Sequence, residues 1–236
     1  MRERLVALLL AGALLSQPVR AIADDYQLLW LKNGIARWPQ DDRAAPLRLT
    51  YAFARTTMQT AKATNCATLT DIGAIAKASL LSTDAIERSA AIAFQRWSDV
   101  ANIQFALTDD LERAQIIIGA QAEPVGHAFA EVVVDENQNE DAGEKRIERS
   151  LICLNPERRW KIGFDGNFSS YDLVHVFTHE IGHALGLDHP GPEGHVMSFK
   201  YQESLVGLTQ GDIAGAIHLY GPKRVEDRRS AAYRPG

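Results

Sequence analysis

The sequence predicts an α+β domain of five strands and three helices. Three observations carry that expectation. Short stretches rich in β-formers recur, several with polar and apolar residues in alternation. Between Ser82 and Val100 the apolar residues repeat at helical spacing instead. Most of the strand-like stretches follow one another before two further helical segments close the domain.

Taken in order, residues 24–44 read as a non-regular N-terminal segment or short propeptide, with Leu28 to Leu31 apolar, Trp38-Pro39 breaking regularity and Asp41-Asp42-Arg43 polar. Leu47 to Phe53 alternates and is the first strand. Arg55 to Leu81 is rich in threonine and alanine, carries Cys66, and reads as an inserted loop with a short helix near Asp71–Ser79. Ser82-Thr83-Asp84 caps a helix whose Ile86, Ala90, Phe94 and Trp97 share the face that packs on a sheet. Ile103–Leu107, Ala114–Gly119 and Gly126–Val134 are the next strands, the second of them an unbroken apolar run suited to burial on both faces. Asp135 to Arg149 is a charged loop, and Ser150–Leu154 the fifth strand. Ser169-Ser170-Tyr171-Asp172 has the pattern of a capping box and opens a helix running to about Leu185. Thr209 to Asp212 opens a last helix ending near Tyr220-Gly221, and residues 222–236 form a basic, flexible tail. The catalytic domain expected from this layout is 45–221.

Composition narrows the function classes. With 236 residues, 46% hydrophobic and 23% charged, the chain has enough apolar mass for one globular core. A formal charge of −5 gives no basic surface for nucleic acid. Residues 1–23 have a basic start, an apolar run from Leu5 to Leu15 too short to span a bilayer, and an Ala21-Ile22-Ala23 cleavage site. They read as a signal peptide, so the product is expected to be secreted or periplasmic, a monomer without a membrane anchor. Export would place Cys66 and Cys153 where disulfides form.

The chemistry concentrates in His179-Glu180-Ile181-Gly182-His183-Ala184-Leu185-Gly186-Leu187-Asp188-His189. On a helix, His179 and His183 project from one face, four residues apart. Two imidazole nitrogens can then reach one zinc ion at about 2.0–2.1 Å. Gly186 can take positive φ and turn the chain sharply, returning His189 as a third ligand. Three protein ligands leave a fourth position for water, the mark of a catalytic rather than a structural zinc. Glu180 stands off the ligand pair, within reach of that water, and is the candidate general base.

The histidine motif, followed by Met197 in Gly194-His195-Val196-Met197-Ser198, resembles the extended zinc motif and Met-turn of the metzincin metallopeptidases. Ala93–Val100, Ala114–Gly119, Gly126–Ala130, Leu208–Gly215 and Leu219–Gly221 are similar, in matching order, to segments of the matrixin, or matrix-metalloproteinase, catalytic domain. That resemblance implies a zincin-like, twisted five-stranded mixed sheet with one antiparallel edge strand, and a cleft between that strand and the zinc helix. It also implies that Met197 floors the zinc site, that Gly126, His127, Ala128 and Phe129 bind an extended peptide substrate, and that Tyr201 helps wall a side-chain pocket just past the scissile bond. His127 and Cys153 stand where two ligands of a second, structural zinc would be, but no remaining ligand segment is found, so one catalytic zinc is expected. Cys153 pairs with Cys66 or both remain thiols. Asp135, Glu136, Asn137, Glu140 and Asp141 offer oxygen ligands for calcium, or are simply solvated. His175, His195 and His218 read as packing or surface histidines.

The implied activity is zinc-dependent hydrolysis of peptide bonds in extended protein substrates. Pro190, directly after His189, is closer to the serralysin branch, while Tyr201, four residues past Met197, follows the matrixin pattern. A serralysin-like peptidase is therefore the rival within the class. A zinc-containing binding module without activity is the rival outside it.

Overall fold

The structure is a computed structural model that describes residues 26–224 except 32, 61 and 136–142. The expected signal peptide, most of the expected tail and the centre of the acidic loop, with four of the five calcium candidates, lie outside the described residues.

The principal strands are β1 (Trp30–Leu31), β2 (Gly34–Arg37), β3 (Leu47–Phe53), β4 (Ile103–Leu107), β5 (Ile116–Ala120), β6 (Ala128–Val134) and β7 (Glu144–Leu154). The helices among the described residues are α1 (Gly73–Ser79), α2 (Thr83–Val100), α3 (Leu173–Ala184) and α4 (Gln210–Tyr220). The five expected strands form the frame of the sheet. β4, β3, β5 and β7 are parallel neighbours in that order, and β6 closes the edge antiparallel to β7. The fold is the expected mixed α+β arrangement.

Two expectations about its extent are corrected. The N-terminal segment is not irregular: β1 and β2 form a hairpin, and β2 adds to the sheet parallel to the start of β7. The sheet therefore has seven strands. β7 also begins at Glu144, inside the expected loop. Over Glu144–Glu148 its exposure alternates, Lys145 and Ile147 buried and Glu144, Arg146 and Glu148 exposed. The Lys145 stem runs against Gly34, so an inward position is filled by the apolar part of a charged side chain.

Both faces of the sheet are covered. Ile116, Ile118, Ile152 and Leu154 point into the main core with α2 and α3, while Ile117, Leu151 and Cys153 point into a smaller cluster with Cys66 and Leu69. This two-sided burial accounts for the continuous apolar run of β5. On the helix side, Ile86, Ala90, Phe94 and Trp97 of α2 are all buried, with Phe94 stacked 4.1 Å from Tyr51. On the other side the inserted segment is tied down twice. Cys66 and Cys153 form a disulfide. The Glu131 carboxylate accepts the backbone N–H groups of Thr64, Asn65 and Cys66 at 2.6, 2.7 and 3.1 Å. Cys153 is thereby spent as a metal ligand. No helix among the described residues is long and apolar enough to cross a membrane.

Candidate metal centre and cleft

Helix α3 carries the centre, and its first turn is set by Asp172, whose carboxylate accepts His175 N–H at 2.7 Å. The cap is therefore Asp172 rather than Ser169, because Tyr171-Asp172 is held extended beside Trp160-Lys161. Trp97 Nε1 donates to Thr178 O at 2.9 Å, fixing α3 against α2. Helix α3 ends at Ala184, and Gly186 turns the chain at φ +99°. A Cβ there would lie 2.2 Å from Ala36 O, so the turn needs glycine for both conformation and space. Leu187-Asp188 then pairs with Gln27-Leu28, which fixes the approach of His189.

These constraints bring His179, His183 and His189 together as one possible metal-holding cluster. Their Nε2 atoms form a triangle with every edge 3.1 Å. His179 Nδ1 lies 2.7 Å from Val196 O, and His183 Nδ1 lies 2.8 Å from Leu187 O. A carbonyl only accepts, so each Nδ1 carries the ring proton and each Nε2 presents a lone pair. Burial pushes the His179 pKa down to about 4 and holds His183 well below the ordinary range, aided by the other histidines. Burial also lowers His189, against the opposing pull of Asp188. Neutral lone pairs facing one another repel unless a cation lies between them. The donor set, three imidazoles of which two have backbone-anchored second nitrogens, suits zinc.

Met197 is buried and packs on α3 at Gly182. Its turn hangs on Asp212 of α4. That buried carboxylate accepts Val196 and Met197 N–H at 3.0 Å each, and Thr209 N–H and hydroxyl at 2.8 Å each. Asp212 escaped the sequence reading as a site residue because it resembles an ordinary helix cap.

Glu180 is 6% exposed and lines the cleft beside the histidines. Burial raises its pKa to about 8, opposed by a hydrogen bond from the Ala130 backbone of β6. A cation beside it would favour the ionised form and draw that value back down.

The cleft, about 880 Å³, lies between β6 and α3. Gly126, His127, Ala128, Phe129 and Tyr201 all line it. Tyr171, His175 and Val176 line it too and were missed. His127, Tyr171 and Tyr201 form a continuous stack, with centroid spacings of 4.2 and 4.4 Å. Tyr201 donates to Glu203 and accepts Asp172 N–H, each at 3.0 Å. Two residues past Met197 stands Phe199, its ring 6.0 Å from His189 and without an oxygen to offer a metal.

A family model described as Matrixin matches residues 67–221. Two Arabidopsis thaliana proteins are similar over most of the chain. Metalloendoproteinase 1-MMP is 30% identical over 195 residues, 80% of this chain and 46% of its own length. Metalloendoproteinase 4-MMP is 29% identical over 205 residues, 80% and 49% respectively. A serralysin of Photorhabdus laumondii is 31% identical over 107 residues, 45% of this chain and 20% of its own. The chain spans about half the length of the two plant relatives.

Proposed function

This chain belongs to the matrixin family, and on that premise we propose that it is a secreted zinc-dependent endopeptidase. The observation that carries the proposal is the triangle of three Nε2 atoms, two of them deprotonated by backbone anchors, beside a buried carboxylate in an open cleft.

His179, His183 and His189 would hold the metal. When bound, zinc acidifies water toward neutrality and polarises the scissile carbonyl. Glu180 takes a proton from the attacking water and delivers it to the leaving amine. The Ala130 hydrogen bond keeps the Glu180 carboxylate turned toward β6. The substrate binds extended, adding a strand to the free edge of β6. Met197 and Asp212 hold the floor of the site and touch no substrate.

Export is supported by the signal-like first 23 residues and by the Cys66–Cys153 bridge, since such bridges persist in oxidising compartments. The activity is tested by incubating purified protein with a denatured protein such as casein, alone, with a zinc chelator, and with zinc restored. Cleavage lost to the chelator and regained with zinc supports the proposal. No cleavage by zinc-loaded protein contradicts it.

A further inference from the structure

We propose that the Lys161 ammonium is a built-in cation that positions one wall of the peptide cleft, binding the segment 161–167 to Glu203 and, through Glu203, holding Tyr201 in place. This rests on the endopeptidase reading and goes beyond it by assigning a positioning residue outside the metal centre.

Lys161 lies in the short extended segment Trp160-Lys161, which pairs with Tyr171-Asp172. Its side chain is only 12% exposed. An ammonium has three N–H donors and no acceptor. Three oxygens meet it here: the Asp165 carboxylate, Asn167 O at 2.7 Å and Glu203 Oε1 at 2.5 Å. Two carboxylates and a carbonyl, drawn from two separate stretches of the chain, are the kind of oxygen set that a hard metal cation takes. The lysine fills it from within.

Glu203 is the inner partner. Its side chain is 9% exposed, against 60% for Asp165. Oε1 also accepts the Tyr201 hydroxyl at 3.0 Å, and Oε2 accepts Gly166 N–H at 2.6 Å. The Tyr201 oxygen in turn accepts Asp172 N–H at 3.0 Å, and its ring stacks 4.4 Å from Tyr171 in the cleft. Lys161 thus touches no substrate, and its charge reaches the cleft wall through one carboxylate. Among the described residues no second lysine or arginine pairs with Glu203. Removing the ammonium alone leaves a buried carboxylate uncompensated, which costs more than replacing both partners by neutral groups. Glu203 then turns to water, and the Tyr201 hydroxyl loses the acceptor that fixes it.

The test compares wild type, Lys161→Met, Glu203→Gln and the double variant, with zinc content and thermal midpoint recorded for each. For a peptide spanning the cleft, Lys161→Met should raise KM about tenfold, the worth of one charge-assisted hydrogen bond, with kcat nearly unchanged. The double variant should recover most of that loss, because no buried charge is left unpaired. Binding is measured separately on zinc-loaded Glu180→Gln, with and without Lys161→Met, using two half-length peptides, one for each side of the scissile bond. Only one half should weaken, a selectivity that a general loss of stability would not produce. Should Lys161→Met fail to fold, Glu203→Gln, which keeps the size of the side chain, should show the same one-sided weakening. An unchanged KM in folded Lys161→Met, equal weakening of both halves, or a double variant no better than Lys161→Met overturns the proposal. One-sided weakening of binding with no cleavage by wild type leaves Lys161 its role and overturns the peptidase reading.

Discussion

Met197 sits directly against the backbone of Gly182: a Cβ added at Gly182 would fall 2.2 Å from Met197 Sδ and 2.9 Å from Trp97. The middle of the histidine motif is thus a contact surface, and Met197 is as close to α3 as a missing side chain permits. Gly182→Ala should cost about 1–3 kcal/mol through overpacking and weaken zinc retention by tilting His179 and His183. Met197→Leu, which nearly conserves volume, should cost less than about 1.5 kcal/mol. Chemical denaturation with metal analysis on both variants checks the order.

Asp212 holds the Met197 turn through four hydrogen bonds, two of them to the N–H groups of Val196 and Met197. Asp212→Ala strands buried donors, each at about 1–3 kcal/mol. The expected result is a loss of at least about 3 kcal/mol by denaturant titration, with faster zinc release to a chelator. Normal stability with normal zinc release would mean the turn is held by other contacts.

The Cys66–Cys153 bridge joins the inserted segment to the C-terminal end of β7, opposite Phe129 of the cleft strand. Its reduction, or paired Cys→Ser substitution, should cost about 2–5 kcal/mol, read as a lower thermal midpoint in reductant. Peptide binding along β6 should weaken at the same time, because Glu131 of that strand loses a fixed partner in the segment around Cys66.

The metal-free protein should show a stability maximum at mildly acidic pH. His179 has a folded pKa of about 4 against an ordinary 6.5. Between those values the unfolded chain binds the extra proton, so stability falls as pH drops from 6.5 toward 4. Glu180 has a folded pKa of about 8 against 4.5, so the folded state holds the extra proton and stability falls as pH rises from 4.5 toward 8. Glu180→Gln should flatten the alkaline limb alone, in denaturation curves recorded across pH with chelator present.

Much of this site is legible in the sequence because its geometry is local. The histidine spacing is a helix period followed by one glycine turn, and α2 announces itself through Ile86, Ala90, Phe94 and Trp97. What escapes depends on partners distant in the chain. Glu144–Arg149 looks like a loop because its inward position is Lys145, whose burial makes sense only with Gly34 beside it. The hairpin of β1 and β2 is too short to show alternation, and it forms on the start of β7. Tyr171 and His175 read as cap and packing residues because nothing local shows that the stack with Tyr201 lines a cleft.

The measurement that bears most directly on the account is zinc stoichiometry and casein cleavage compared between wild type and Glu180→Ala. The account predicts about one zinc per chain in both proteins, as expected of a single three-histidine centre with one open position, and cleavage by the wild type alone. Cleavage undiminished in Glu180→Ala, or zinc lost together with Glu180, would contradict the assignment of Glu180 as the base and of the three histidines as the complete protein ligand set.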